Sequence, residues 1–201
     1  MRCFSIFLSL LLLLPFAVLA ADVFVEEFEN PDGWTSQNPP TGWQIYYDGQ
    51  PHANDWHQST YGPYAPDARC VKAPYQVPLI DGLYKADIDC SFADNLQISF
   101  WYDIQWQGTG YNGYLHVYGS NDGFVTNHDI FWNYWPNSDT DIATVDISSW
   151  ADNQPTVGIY FDLYINDSHG MHTVDVDSVH ITGGYTVTQP ASLGLVKALY
   201  Q

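Results

Sequence analysis

The chain has 201 residues, of which 23 are acidic and only five are Lys or Arg, giving a formal net charge of −18 at pH 7. Such a surface repels nucleic acid and anionic lipid, so the sequence predicts neither as a partner. Eight Trp, fifteen Tyr and ten Phe exclude a solvated, disordered chain, because they supply ample apolar area for a folded core.

The first twenty residues are typical of a signal peptide. Met1-Arg2 is a short basic start, residues 4–14 are almost wholly apolar, and Pro15 precedes the small-residue end Val18-Leu19-Ala20. We expect cleavage after Ala20 and a secreted or cell-surface protein. An uncleaved membrane anchor is the alternative.

The remaining length suits one domain. We expect that domain over residues 21–184, followed by a linker and a short tail over 185–201, with no membrane insertion of the mature chain.

Strand patterns follow one another along the chain with almost no helix pattern between them. Clusters of Gly, Pro, Asn and Asp separate short segments in which apolar and polar residues alternate. This arrangement predicts an all-β fold, a two-sheet antiparallel β-sandwich of the jelly-roll type. The predicted strands are Val23–Glu29, Trp43–Tyr47, Asp55–Gln58, Arg69–Ala73, Leu83–Ile88, Asn95–Ile104, Tyr114–Ser120, Asp129–Tyr134, Ile142–Ile147, Thr156–Tyr164 and Met171–Thr182.

Two of these strands indicate which side chains are buried. Their apolar sets predict the core: Leu96, Ile98, Phe100, Tyr102, Val157, Ile159, Phe161 and Leu163. Their opposite faces, with the outward set of Tyr114–Ser120, are aromatic and acidic. Aromatic rings stack on the C–H faces of pyranoses and carboxylates accept hydrogen bonds from sugar hydroxyls. The candidate carbohydrate-binding residues are therefore Trp101, Asp103, Tyr114, His116, Tyr118, Tyr160, Asp162 and Tyr164.

A second interpretation of these aromatic residues is structural. Aromatic side chains are good strand formers, and a loop or a neighbouring sheet can cover them.

Acidic and apolar residues alternate near both ends of the predicted domain, in Val25–Glu29 and Thr173–Ile181. If these strands lie side by side, their carboxylates meet on one edge with few basic residues to neutralise them, and Ca²⁺ suits such a site. The alternative is that the acids only discourage edge-to-edge aggregation.

Cys70 and Cys90 remain after removal of the signal peptide. In an exported protein we expect them to form a disulfide, with a pair of free or metal-binding thiols as the alternative.

Several short motifs together resemble the secreted choice-of-anchor J and cleaved-adhesin domains, which are distantly related to MAM domains. In chain order the motifs are Glu27-Phe28-Glu29, Pro40-Thr41-Gly42-Trp43, Asp55-Trp56, Leu96–Tyr102, Tyr114–Gly123, Val145–Ala151, Val157–Phe161 and Val174–Val179. The resemblance implies a sandwich whose first and last strands pair, often with a structural Ca²⁺ nearby, and a role in adhesion or in carbohydrate and protein binding.

For the calcium site, the resemblance implies Glu27, Glu29, Asp55 and Asp177 as ligands. Ser178 stands where the family usually has a second acid, so backbone carbonyls and water would complete the coordination shell.

No GxSxG, HExxH, Walker or catalytic-cysteine motif is present, so the sequence predicts a protein that is not an enzyme. The favoured function is an exported binding or adhesion module for carbohydrate or a surface glycoprotein. The alternatives are a structural cell-surface component without a soluble ligand and a glycan-cleaving enzyme with paired carboxylates.

Overall fold

A computed structural model describes residues 20–29, 33–47, 55–59, 66–72, 79–106, 112–134, 136–166 and 171–185. The predicted signal peptide, apart from Ala20, and the predicted tail, apart from Tyr185, lie outside these ranges. Within them, no helix combines the length and the apolar composition that crossing a membrane requires.

The described residues form eleven strands and one four-residue helix. The strands are β1 (Ala21–Glu26), β2 (Trp43–Tyr47), β3 (His57–Ser59), β4 (Asp67–Lys72), β5 (Leu79–Ile88), β6 (Ala93–Gln105), β7 (Asn112–Ser120), β8 (His128–Tyr134), β9 (Asp139–Asp146), β10 (Val157–Asn166) and β11 (His172–Tyr185). The helix α1 (Ser148–Ala151) joins β9 to β10.

The strands form two antiparallel sheets, which confirms the predicted sandwich. Sheet 1 has the order β3-β4-β11-β6-β9, with β1 also paired to β11, and sheet 2 has the order β2-β5-β10-β7-β8. The first and last strands are adjacent, as predicted, with Ala21 opposite Gly183 and Glu26 opposite Val179.

The core lies between the sheets where the alternation predicted it. The eight predicted core residues are at most 5% exposed, and seven of them are fully buried. The exception is Tyr102, whose hydroxyl donates a hydrogen bond to Asp139 Oδ2 at 2.8 Å. The predicted burial of alternate side chains on β6 and β10 is therefore confirmed.

The predicted disulfide between Cys70 and Cys90 is wrong: both residues are described, both are buried, and no disulfide joins them. Cys70 Sγ donates a hydrogen bond to Asp81 Oδ2 at 3.3 Å, near the start of β5, whereas Cys90 follows the end of that strand. The extended part of β5 from Asp81 to Ile88 alone spans about 23 Å at roughly 3.3 Å per residue. A disulfide requires Cα atoms about 4–7 Å apart, so the fold separates the two thiols too far.

Candidate functional site

The outer face of sheet 2 carries a continuous group of aromatic side chains. Along β10, Tyr160, Asp162 and Tyr164 point away from the core and are half-buried, whereas Phe161 and Leu163 are fully buried. The register places Tyr118, His116 and Tyr114 of β7 directly beside these three residues.

Strand pairing extends this pattern into three rows that cross the sheet. We call the whole set the tyrosine face. Its rows are Gln44, Tyr84, Tyr160, Tyr118 and Asp129; then Tyr46, Gly82, Asp162, His116 and Trp132; then Ile80, Tyr164, Tyr114 and Tyr134.

Six of the eight predicted carbohydrate-binding residues lie on the tyrosine face, but Trp101 and Asp103 lie on the outer side of sheet 1. Trp101 is 5% exposed and borders a shallow pocket with Glu27 and His180. Asp103 accepts hydrogen bonds from Thr140 Oγ1 and Gln105 Nε2, both at 2.6 Å. Alternation assigns faces within one strand but does not say which sheet the strand joins, so grouping these two with the other six was wrong.

Three tyrosines in the first row stack on one another instead of presenting their ring faces to solvent. The rings of Tyr84 and Tyr160 are 5.3 Å apart and those of Tyr160 and Tyr118 are 4.8 Å apart, each pair within 8° of parallel. Burial is the main cause that raises the pKa of Tyr160, and it raises the pKa of Tyr118 to about 12. The stack therefore offers edges and neutral hydroxyl groups to a ligand.

Gly82 makes room for this stack. A Cβ atom at position 82 would lie 2.0 Å from Tyr160 Oη, so any larger residue would displace the tyrosine ring. Phe124, in the loop after β7, packs edge-on against Tyr84, Tyr118 and Tyr160 with centroid distances of 5.9–6.0 Å. Phe124 thus contacts all three stacked rings, and the absence of a side chain at Gly82 leaves them the space they occupy.

The exposed rings lie on the two edge strands. Tyr46 on β2 is 50% exposed, and Trp132 and Tyr134 on β8 are 39% and 54% exposed. Trp132 and Tyr134 are parallel within 1° at 5.1 Å, and the ring of His116 stacks on Trp132 at 3.5 Å. Tyr46, Trp132 and Tyr134 are therefore the most exposed aromatic side chains of this face.

None of the three exposed rings was among the predicted site residues. A β-bulge between Val117 and Tyr118 shifts the pairing of β7 with β8 by one residue. As a result Ile130 is buried although it has the same parity as the exposed Trp132. Ile130, Trp132 and Tyr134 occupy alternate positions of β8, but only Trp132 and Tyr134 are exposed. Alternation within β8 therefore could not identify its outward side chains.

Asp162 lies in the middle row, on the central strand of sheet 2. Its carboxylate is half-buried, which raises its pKa, and no hydrogen-bond donor among the described residues contacts it. Its negative charge also contributes to the raised pKa values of Tyr114, Tyr118 and Tyr160. A ligand with hydroxyl groups would supply the hydrogen-bond donors that the carboxylate of Asp162 lacks.

A second group of interest is the acidic edge of sheet 1, where β1 ends against β11. Ser178 Oγ donates a hydrogen bond to Glu27 Oε2 at 2.8 Å, and His180 Nε2 lies 2.7 Å from Glu27 Oε1. Ser178 has a φ of +50° within a bulge of β11, which brings its side chain toward Glu27. Ser178 therefore hydrogen-bonds Glu27, one of the predicted calcium ligands.

Asp177, next to this bulge, is 6% exposed. Burial and the negative charges of Glu27, Asp67 and Glu29 raise its pKa to about 7, although a backbone hydrogen bond at Ser178 counteracts them. Three of the four predicted metal ligands therefore share one neighbourhood.

Asp55, the fourth predicted ligand, is fully buried beside Asp81. Burial and the charge of Asp55 raise the pKa of Asp81 to about 8. The structure thus places Asp55 in a carboxyl pair with Asp81, next to Cys70.

Asp67 at the start of β4 was missed, because the predicted strand began two residues later. It is fully buried, and neither carboxyl oxygen has a well-formed hydrogen bond among the described residues. Burial, with the nearby charge of Asp175, raises its pKa to about 7. Asp175 itself is paired with Arg69 through two hydrogen bonds, Nε to Oδ1 and, at 2.9 Å, Nη2 to Oδ2.

Among the described residues, no group of three or more His, Cys, Asp or Glu side chains is arranged so that it could hold a metal ion. The acidic edge therefore offers carboxylate oxygens that a cation would have to draw together.

Neither a family model nor a curated protein matches this chain. Among solved structures, the K3 cleaved adhesin domain of Lys-gingipain from Porphyromonas gingivalis has a TM-score of 0.54 at 16% identity, covering 83% of this chain and all of that one. The K1 domain of the same protein gives 0.53 at 15% identity, covering 83% and 99%. A structure described with carbohydrate-binding modules of the β-sandwich superfamily gives 0.50 at 11%, covering 77% of this chain and 60% of that one. The chain therefore has an adhesin-like β-sandwich fold.

Proposed function

We propose that this chain is an exported, non-catalytic module that binds carbohydrate, free or on a surface glycoprotein, through the tyrosine face. The observation that carries the proposal is the set of exposed rings of Tyr46, Trp132 and Tyr134 on a face otherwise made of packed tyrosines. Its fold neighbours, adhesin domains and carbohydrate-binding modules by their descriptions, support a binding role. The motif resemblance supports membership of the choice-of-anchor J and cleaved-adhesin group, with its MAM-related origin.

The chemistry of the face suits pyranose rings. Flat rings can cover the C–H face of a sugar, while tyrosine hydroxyls, Gln44 and Asp162 are available to its hydroxyl groups. Trp132 and Tyr134 are held by stacking, so little conformational entropy is lost at these rings when a ligand binds. The sheet is thus a preorganised surface for a ligand that lies across its strands.

The width of the face agrees with an oligosaccharide. Tyr46 and Trp132 belong to the same row on opposite edges of a five-stranded sheet. Four strand intervals of about 4.8 Å separate them by roughly 19 Å, the length of several linked sugars.

Glycan-array binding followed by calorimetry tests this proposal with the variants Trp132→Ala, Tyr134→Ala and Tyr46→Ala. Truncation of an aromatic residue that anchors a ligand typically costs about 2 kcal/mol or more, so we expect Trp132→Ala to weaken binding by about thirtyfold. Tyr185→Ala is the matched control, since Tyr185 is 50% exposed like Tyr46 but lies on sheet 1. Equal losses in Tyr185→Ala and the face variants would argue against this site.

The proposal includes a structural calcium ion at the acidic edge, held by Glu27, Glu29, Asp67 and Asp177. Support comes from the buried Asp67, whose oxygens lack well-formed hydrogen bonds, and from Oδ1 of Asp177, which has no partner among the described residues. Carboxylate oxygens are the donors that Ca²⁺ prefers, and the ion would tie the first strand to the last. Asp55 is left out of this set because it pairs with Asp81.

Thermal melting with calcium and with EDTA tests the ion. Because an ion bound only to the folded form stabilises it by mass action, we expect the midpoint to fall by several degrees in EDTA. A midpoint that does not depend on the metal would remove calcium from the proposal and leave the tyrosine face unaffected.

A further inference from the structure

We propose that the tyrosine face selects uncharged glycans and rejects those carrying carboxylate or sulfate groups, and that Asp162 determines this selectivity. The inference rests on the proposed function, since it concerns which sugars the same face accepts.

The first argument is the position of Asp162. It lies on the central strand of sheet 2 and in the middle of the three rows, between Gly82 and His116. A ligand that spans the face from Tyr46 to Trp132 must therefore pass over this carboxylate.

The second argument is the missing donor. Asp162 is half-buried, and within the described part of the chain nothing donates a hydrogen bond to it. A neutral sugar carries several hydroxyl donors that would pair with the two carboxylate oxygens. A carboxylate or sulfate on a sugar has no such proton at neutral pH and would place a second negative charge in a partly desolvated site.

The third argument is the absence of a compensating positive charge on this face. None of the fourteen residues that define it is Lys or Arg. Arg69 is paired with Asp175 in sheet 1, and Lys85 Nζ lies 3.1 Å from Asp87. His116 is within 2.9 Å of Asp129, and burial lowers its pKa, so it is mainly neutral at pH 7.

The surroundings reinforce this selectivity. The phenol groups of Tyr114, Tyr118 and Tyr160 lie within the electrostatic influence of Asp162. The whole chain has a net charge of −18, so an anionic glycan is repelled at long range as well as on contact. Long-range repulsion alone would be screened by salt, whereas a contact with a desolvated carboxylate is screened much less.

A glycan array of matched pairs tests the inference on the full chain. Each neutral oligosaccharide, such as N-acetyllactosamine, a xylo-oligosaccharide or a galacto-oligosaccharide, is printed beside the same chain with sialate, glucuronate or sulfate added. We expect the neutral member of a bound pair to bind at least about tenfold more tightly. We expect this ratio to persist when the salt concentration is raised, because the contact at Asp162 dominates it.

The variant Asp162→Asn keeps the size of the side chain and removes its charge. We expect weaker binding of the neutral glycan and a neutral-to-acidic ratio that falls to about threefold or less. Asp87→Asn is the control, since it removes the same charge from an exposed position outside the tyrosine face.

Acidic members that bind as well as neutral ones would overturn the selectivity while leaving the proposed function standing. A neutral preference that Asp162→Asn leaves unchanged would overturn the role of Asp162. Silence of every pair would contradict the proposed function itself.

Discussion

Replacing Asp67 by Asn should give a change in stability that grows with pH and that calcium reverses. Asp67 is fully buried, and its pKa is raised from the ordinary 3.8 to about 7. A rise of this size corresponds to about 4 kcal/mol of unfavourable ionisation in the folded state. Between about pH 4 and pH 7 the folded chain keeps a proton that the unfolded chain releases, so this carboxyl's contribution to stability falls as pH rises through that window.

Asp67→Asn keeps the shape of the side chain and removes its ionisation. Without metal, we expect the variant and the parent chain to have similar free energies of unfolding at about pH 4, and the variant to be more stable by up to about 4 kcal/mol at about pH 8. Urea denaturation in EDTA across this range measures the difference. Groups that titrate alike in both chains cancel in the comparison, whereas Asp177, whose pKa the charge of Asp67 helps to raise, adds to the difference. Asp87→Asn, at an exposed carboxyl, should follow the parent at every pH.

Calcium should reverse the order at about pH 8, because the ionised Asp67 then stabilises the bound ion and Asn binds calcium less well. If the parent and Asp67→Asn differ by a constant amount from about pH 4 to pH 8 in EDTA, the reasoning from burial is refuted. A second outcome is that the pH effect appears in EDTA while calcium leaves the order of the two free energies of unfolding unchanged. In that case the argument from burial holds, and Asp67 does not bind calcium.

Three further predictions concern the fold. Cys70 and Cys90 should react with a thiol reagent after unfolding in guanidinium without reductant, as measured by mass spectrometry, whereas recovery of neither thiol would support the disulfide. Gly82→Ala should lower the melting midpoint by several degrees, because its Cβ would meet Tyr160 Oη at 2.0 Å, and a midpoint equal to that of the parent would show that the ring moves freely. Arg69→Met should cost about 3–5 kcal/mol in urea denaturation, since it leaves the carboxylate of Asp175 buried without its partner, and a cost below about 1 kcal/mol would contradict that burial.

Much of the fold could be predicted because period-2 alternation is a local property. Each of the eleven predicted strands overlaps an observed one, and the burial of Phe100 and Phe161 follows directly from their parity. The pairing of β1 with β11 is what the resemblance to the cleaved-adhesin domains implied, and the structure confirms it. The helix α1 is a single turn at the end of β9, too short to leave a periodic pattern.

The candidate site was less predictable because it depends on pairing between strands. Trp101 and Tyr160 have similar local patterns, but β6 and β10 belong to different sheets. One bulge in the pairing of β7 with β8 was enough to conceal Trp132. The stacking of Tyr84, Tyr160 and Tyr118 depends on the cross-strand register, and so does the position of the exposed rings at the two edges.

The acidic residues show the same limit. Glu27 and Asp177 were predicted to lie together because the terminal strands pair, and they do. The partnership of Asp55 with Asp81 links a loop to the opposite sheet, and that of Asp67 with Asp177 links β4 to β11 within sheet 1. Neither follows from the spacing of these residues in the chain.

The most direct test of the central claim is calorimetric titration of a neutral oligosaccharide, chosen from the array, into the parent chain, Trp132→Ala and Tyr185→Ala. If the tyrosine face binds sugar, we expect the affinity of Trp132→Ala to be about thirtyfold lower than that of the parent chain and the Kd of Tyr185→Ala to be unchanged. Binding by Trp132→Ala that equals binding by the parent chain would contradict it.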